Sequence, residues 1–196
     1  MTKGRFIAFE GLDGSGESTQ ASLLSSRLRE TGRKVLQTKE PTNNLVGGLI
    51  RAALTHQWKP SNQVIQLLYA ADRGHHLEWE IIPTLAKGYD VIADRYYYSS
   101  IAFGSLDADP LWLEELNRYY PEPDIVFYIK VRASVAMERM EKSRPHKELF
   151  EEEAKLAKVA KTYNQLAIRP IFRVIDGEQS PDKVHEDIWN HLNSLT

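Results

Sequence analysis

One stretch near the N-terminus constrains this chain more than any other: Gly11-Leu12-Asp13-Gly14-Ser15-Gly16-Glu17-Ser18. It follows the short apolar run Arg5-Phe6-Ile7-Ala8-Phe9 and precedes Ala21, Leu24 and Leu28, which recur at helical spacing before Gly32 offers a stop. Strand, glycine-rich turn and helix in that order make a phosphate-binding loop. The glycines let successive backbone N–H groups turn inward around an anion, and the helix adds its positive N-terminal end. The loop follows G-x-x-x-x-G-K-[ST] at every place but one, since Glu17 stands where the pattern has lysine. A lysine there brings a mobile cation to the outer phosphates. A carboxylate opposes them, at about 4 kcal/mol for like charges ~4 Å apart in an effective dielectric of ~20.

The rest of the chain agrees with a fold built around such a loop. Apolar runs at 34–37, 89–93, 124–129 and 171–175 read as strands, with helical patterns near 44–54, 61–87, 109–119, 132–141, 148–168 and 181–195. With the first run, this alternation predicts an α/β fold of three layers: a five-stranded parallel sheet flanked by helices, joined by right-handed crossovers. The 196 residues, 42% of them hydrophobic, suffice for a single domain over 1–196, with no internal repeat or linker. The segment 141–153 is the most charged and least patterned, and reads as a mobile surface loop.

A net charge of −2 and a pI near 6.3 argue against binding nucleic acid polymers or anionic membranes. The absence of cysteine excludes disulfides and thiolate metal sites. The first apolar run is too short for a signal peptide or a membrane span, so a soluble, cytoplasmic protein is expected.

In open parallel sheets, ligands gather at the carboxyl ends of the strands, and the remaining polar motifs fall there. Asp94-Arg95 follows the third run. It is either an ion pair closing the strand or an acid that orders Mg²⁺ beside an arginine that grips phosphate. Lys39-Glu40-Pro41-Thr42 follows the second run, with a proline to fix the turn. Tyr69 and Arg73 lie four apart on one helix face. They are either core packing with a surface charge, or an aromatic plate and a guanidinium for a base. Arg139, Lys142, Arg144 and Lys147 either dot a solvated surface or close over polyphosphate. His75 and His76 are adjacent, so on a helix they diverge, and no histidine pair has metal-site spacing.

Taken in order, Phe9-Glu10-Gly11-Leu12-Asp13-Gly14-Ser15-Gly16, Glu40-Pro41, Ile50-Arg51, Tyr69 to Arg73, Asp94-Arg95-Tyr96 with Ser99-Ser100, and Phe150-Glu151 give the chain its resemblance to thymidylate kinases over nearly its whole length. The resemblance implies a P-loop fold with a lid at about 141–153, usually as a homodimer. ATP, with Mg²⁺, donates its terminal phosphoryl group to dTMP, giving ADP and dTDP. Gly11, Leu12, Asp13, Gly14, Ser15, Gly16, Glu17, Ser18 and Thr19 then surround the ATP phosphates, while Arg139 and Gln179 border adenine. Glu40, Pro41, Arg51, Tyr69, Arg73, Arg95, Ser99, Ser100 and Phe103 bind dTMP. Within that set Tyr69 stacks on the base, Arg73 reaches its carbonyl, and Arg51 and Arg95 hold the phosphate end. Ser18 ligates the metal and Asp94 supports it through water. Asp13, Arg95 and Arg144, with Glu17 at the lysine position, form the catalytic set.

The chain departs from the family pattern at several places. Gly14 leaves the phosphate loop without an arginine, so the lid should supply the cation: Arg144 first, with Lys147 or Lys142 in reserve. Leu149 stands where the lid often has arginine. Gly104 stands where many bacterial members carry a base-contacting glutamine, which implies looser thymine selectivity. Glu17 admits several readings: a kinase whose lysine was substituted to silence it, a natural kinase that recruits another cation, a non-catalytic nucleotide-binding or regulatory module, or a kinase for another nucleoside monophosphate. The expectation is near-normal dTMP binding, weak ATP binding and slow turnover. A pyrimidine carbonyl suits Arg73 better than the amino group of cytosine does.

Overall fold

A computed structural model describes residues 4–143 and 149–194. Five strands, β1 (Phe6–Gly11), β2 (Val35–Lys39), β3 (Asp90–Asp94), β4 (Ile125–Lys130) and β5 (Phe172–Asp176), form one parallel sheet in the order β2-β3-β1-β4-β5. The three inner strands are buried, as runs covered on both faces must be. The helices are α1 (Glu17–Glu30), α2 (Leu45–Leu54), α3 (Asn62–His76), α4 (Ile82–Ala86), α5 (Tyr97–Gly104), α6 (Pro110–Asn117), α7 (Ala133–Ser143), α8 (Leu149–Leu166) and α9 (Pro181–Asn193).

The two-residue period of the strands divides the core into two layers. Ile7, Phe9, Ile92, Phe127 and Ile129 face α1 and α9, meeting Ala21, Leu24 and Leu28 from the first and Val184, Ile188 and Leu192 from the second. Phe6, Ala8, Val91, Ala93, Val126 and Tyr128 face the other way, against Tyr97, Ile101, Leu113, Val159 and Tyr163. The sheet thus lies between two helical layers, as the alternation predicts. Past the strand ends, the Glu40 amide donates to the Asp94 carbonyl and the Arg95 amide to that of Phe9. These bonds hold the motif residues in one row along the carboxyl edge.

Three sequence expectations differ from the structure. The long helix expected at 61–87 is divided into α3, a wide π-type turn (Leu77–Ile81) and α4. Pro83 lies in the first turn of α4, where it lacks an N–H and its ring crowds the preceding turn; a wider turn accommodates both. Helix α5 was not anticipated. Its Tyr97-Tyr98 start favours strand by propensity, and burial of Tyr97, Tyr98, Ile101 and Ala102 overrides that preference. Within the segment 141–153 expected as a loop, 141–143 end α7 and 149–153 open α8. Arg144 and Lys147 lie outside the described residues.

Candidate active site

The phosphate loop leaves β1 at Gly11 and enters α1 at Gly16. Gly14 and Gly16 have φ of 80° and 100°, a region that favours glycine. At Gly14 a side chain would also meet the Ala136 carbonyl oxygen at 2.7 Å. Gly16 caps α1 without a side chain, so no side chain claims the first-turn N–H groups and they can meet an anion.

Glu17, at the first position of α1, turns back rather than outward. Its Oε2 accepts a 2.5 Å bond from the Ser15 hydroxyl and its Oε1 pairs with Arg95 Nη2. The same Nη2 lies 2.8 Å from Asp13, while Nη1 donates to the Gly11 carbonyl at 2.9 Å and to the Ser99 hydroxyl at 3.2 Å. Burial disfavours the Arg95 charge, but Glu17 and Asp13 more than offset this and push its pKa further above the usual arginine value. Arg95 itself has φ 73°, strained for a non-glycine residue. Its guanidinium stands 5.3 Å from the centre of the Phe103 ring.

Beside this cluster, Asp94 Oδ2 accepts from Ser18 Oγ at 2.6 Å and from Lys39 Nζ at 3.0 Å. Its other oxygen, Oδ1, is buried and has no hydrogen-bond partner. A hydroxyl and a carboxylate with one oxygen unpartnered are hard donors that suit Mg²⁺ and its waters, so these residues fit the ion. Among the described residues no three His, Asp or Glu side chains cluster as a self-sufficient metal site.

A cavity of about 350 Å³ opens next to the loop, and it is lined by Asp13, Glu40, Pro41, Tyr69, Arg73, Arg95, Ser99, Ser100 and Phe103 among others. Every sequence-predicted dTMP residue lines it except Arg51, which donates to the Thr42 carbonyl. Arg73 is fully buried. It donates from Nε to Glu40 at 2.9 Å, from Nη1 to Asn117 at 2.5 Å and from Nη2 to Ser100 at 3.0 Å. On the far side of the phosphate loop, Arg139 bridges the carbonyls of Ser15 at 3.2 Å and Gly177 at 2.9 Å. Gln179 turns to Asp187 at 3.0 Å and Thr19 is exposed.

Several polar residues outside the predicted site acquire their partners in three dimensions. Asp72 binds the Thr42 amide and hydroxyl at 2.7 and 2.6 Å, tying the loop after β2 to α3. His76 lies 3.2 Å from Glu40 and 3.0 Å from Glu80, whereas His75 stacks on Trp79, so the two do diverge. Burial disfavours the His76 charge, yet its two carboxylates raise its pKa. Glu10 is fully buried and accepts from the Tyr96 amide at 3.0 Å, Ser99 at 2.5 Å and Tyr163 at 2.9 Å. Burial pushes its carboxyl up to about 7 against those bonds and the Arg95 charge. The signal for Glu10 lay in the sequence: a carboxylate inside a strand that must be buried on both faces.

A phosphate loop at the end of the central strand, a hydroxyl–carboxylate pair beside it and a pocket on the same edge define a P-loop nucleotide-binding protein of the kinase type. The sequence model for thymidylate kinase matches residues 9–188. A probable thymidylate kinase of Methanocaldococcus jannaschii is 38% identical over 197 residues, covering 100% of this chain and 99% of that protein. Thymidylate kinases of Thermosipho africanus, 40% identical over 96% of this chain and 100% of that protein, and of Leptospira borgpetersenii, 32% identical over 93% and 90%, are similar throughout as well. The chain belongs to the thymidylate kinase family.

Proposed function

We propose that this chain is an ATP-dependent dTMP kinase, producing ADP and dTDP for dTTP synthesis. The observation that carries the proposal is the cavity joining Tyr69, Phe103 and Arg95 directly to the phosphate loop. A flat base fits beside the aromatic rings, and its phosphate then points toward Arg95. In the transfer, an oxygen of the dTMP phosphate attacks the γ-phosphorus in line, the bond from that phosphorus to the β–γ bridging oxygen breaks, and ADP leaves with the electron pair. The loop amides hold the donor phosphates, Arg139 and Gln179 border the adenine, and Arg95 with Asp13 orients the acceptor. Ser18 and Asp94 would hold Mg²⁺, which neutralises phosphate charge when bound. The cations of the expected lid, with Arg144 foremost, are assigned the charge that develops during transfer.

Glu17 in place of the phosphate-loop lysine sets the rate on this reading. It withholds a cation and also occupies Arg95. Loss of one charge-stabilising donor typically costs about 10²- to 10³-fold in rate, and charge reversal more. The test is ADP release from ATP and Mg²⁺ with dTMP, dUMP or dCMP, beside the Glu17→Lys protein. We expect slow, dTMP-dependent turnover that rises by at least about 10²-fold with lysine. An equal rate in both proteins overturns the role given to Glu17. Silence in both favours the second reading, a nucleotide-binding module, for which the Glu17–Arg95 pair is the supporting observation. The same proposal takes the chain as a single domain and a cytoplasmic homodimer. Exposed Leu45 and Leu49 of α2 and Val64 and Leu67 of α3 offer an apolar face for pairing.

A further inference from the structure

One polar side chain in the pocket wall has an unmet hydrogen-bonding group. Gln66 lies on α3 three residues before Tyr69 and seven before Arg73, which places all three on one helix face. Its side chain lines the cavity, the residue is 8% exposed, and its buried Oε1 has no hydrogen-bond partner. Buried amide oxygens are seldom left unpaired, because the lost bond to water is not replaced. A second observation concerns the helix packed directly against this amide. At Gly104 of α5 a Cβ would stand 3.0 Å from Gln66 Cδ and Nε2 and 2.9 Å from Leu113 Cδ1. The bare glycine is therefore what gives the amide its room.

The neighbouring guanidinium cannot do the same work alone. Arg73 is committed to Glu40, Asn117 and Ser100, and its Nη2 also lies 2.8 Å from Glu40, so little donor capacity is left for a ligand. A base lying beside Tyr69 and Phe103 still presents a polar edge. Among the residues just named, Gln66 alone pairs an unpartnered acceptor with amide donors.

We propose that Gln66 reads the acceptor base: its amide oxygen accepts from a ring N–H while its amide nitrogen donates to an adjacent ring carbonyl. The matching ligand class is a six-membered ring with an imide edge, a C=O beside an N–H, as in thymine and uracil. Cytosine lacks that ring N–H, so its ring nitrogen would face the Gln66 amide oxygen acceptor to acceptor. The assignment rests on the reading of this cavity as the dTMP site, and makes Gln66 a residue of specificity for the base.

The test is equilibrium binding by calorimetry, without ATP, of dTMP, dCMP and a thymine-shaped difluorotoluene nucleotide that lacks the hydrogen-bonding edge. The proteins are the unsubstituted chain, Gln66→Leu and Gly104→Ala. In Gln66→Leu we expect dTMP to bind about 10-fold more weakly, while the apolar analogue stays within about twofold. Gly104→Ala, whose methyl would press directly on the Gln66 amide, should weaken dTMP selectively as well. Equal weakening of dTMP and the analogue in Gln66→Leu makes Gln66 a packing residue and overturns the proposal, as does unchanged dTMP binding. If the unsubstituted chain binds dTMP no better than dCMP, the dTMP reading of the cavity itself falls, and this assignment with it.

Discussion

Two arginine–glutamate pairs stand close together at the carboxyl edge of the sheet, Arg73 with Glu40 and Arg95 with Glu17, and their surroundings differ. The side chains of Arg73 and Glu40 are 1% and 4% exposed, and Asn117, Ser100 and His76 satisfy much of what remains of both. Those of Arg95 and Glu17 are 13% and 7% exposed, on a strained backbone and beside the exposed Asp13. The first pair is a wall: both charges are spent within the protein, and the cavity gains a fixed shape. The second pair sits at the phosphate loop, where, on the proposed reading, an arginine neutralised by glutamate is withdrawn from the phosphate it would otherwise meet. The same chemistry therefore builds one half of the site and restrains the other.

The sharpest way to break this comparison is to remove the carboxylate from each pair. In Glu40→Ala the buried Arg73 charge loses its carboxylate partner, a change that costs about 3–5 kcal/mol. Urea unfolding should show a loss of that size, and dTMP binding should fall with it. A loss below about 1 kcal/mol would mean that water or His76 rearrangement compensates, and that the wall is less fixed than its hydrogen bonds indicate. Removing Glu17 should have no comparable effect on folding, because Arg95 keeps Asp13 as a second acidic partner.

The two halves were unequally legible in the sequence. The strands could be read because inner strands of a parallel sheet are continuous apolar runs, and all five were found within a residue or two of their bounds. The phosphate loop could be read because backbone geometry fixes its glycines. The pocket was legible through the order of its motifs, which brought Tyr69, Arg73, Arg95 and Ser100 to one cavity. What was not legible depends on contacts between distant segments. Asn117 meets Arg73 from α6, and Asp72 fastens a loop thirty positions away. Gln66 is singled out by the space at Gly104. Arg51 has a basic side chain at the expected place in α2, but its direction depends on the Thr42 carbonyl. Nor could the sequence show that Glu17 would fold back on Arg95, since a one-dimensional pattern gives the charge and not its partner.

Glu10 belongs to the Arg95 half, and pH should set that half apart. It contacts Ser99, close to Arg95, and Tyr163 on α8. Its carboxyl is raised from 4.5 to about 7 by burial, so the folded state holds the proton more tightly than the unfolded chain. The stability this confers is present below about 4.5 and is lost as pH rises through about 7, a change of ~3 kcal/mol. The raised pKa of His76 acts in the same direction, so the substitution must isolate Glu10. Urea midpoints measured from pH 5 to 8.5 should fall in the unsubstituted chain, and the slope should flatten in Glu10→Gln. An identical slope would place the carboxyl in the ordinary range and show that its three donors outweigh burial.

The smallest expected effect isolates the second pair. Glu17→Gln keeps the size of the side chain and a group able to bond Ser15, yet it removes the charge that occupies Arg95. Arg95 is then left with the exposed Asp13, a surface partner worth little, and can turn to an incoming phosphate. Binding of dTMP should tighten by about 10-fold, the difference expected of one charge-assisted bond regained. Thymidine, which has no phosphate, should bind equally well to both proteins. That contrast matters because the two ligands share the base and sugar contacts and differ only at the atom Arg95 would meet. Equal tightening of both would mean that Glu17 shapes the cavity rather than competing for the arginine. If neither changes, Asp13 alone holds Arg95, and the restraint on the phosphate half comes from the missing cation rather than from the pair.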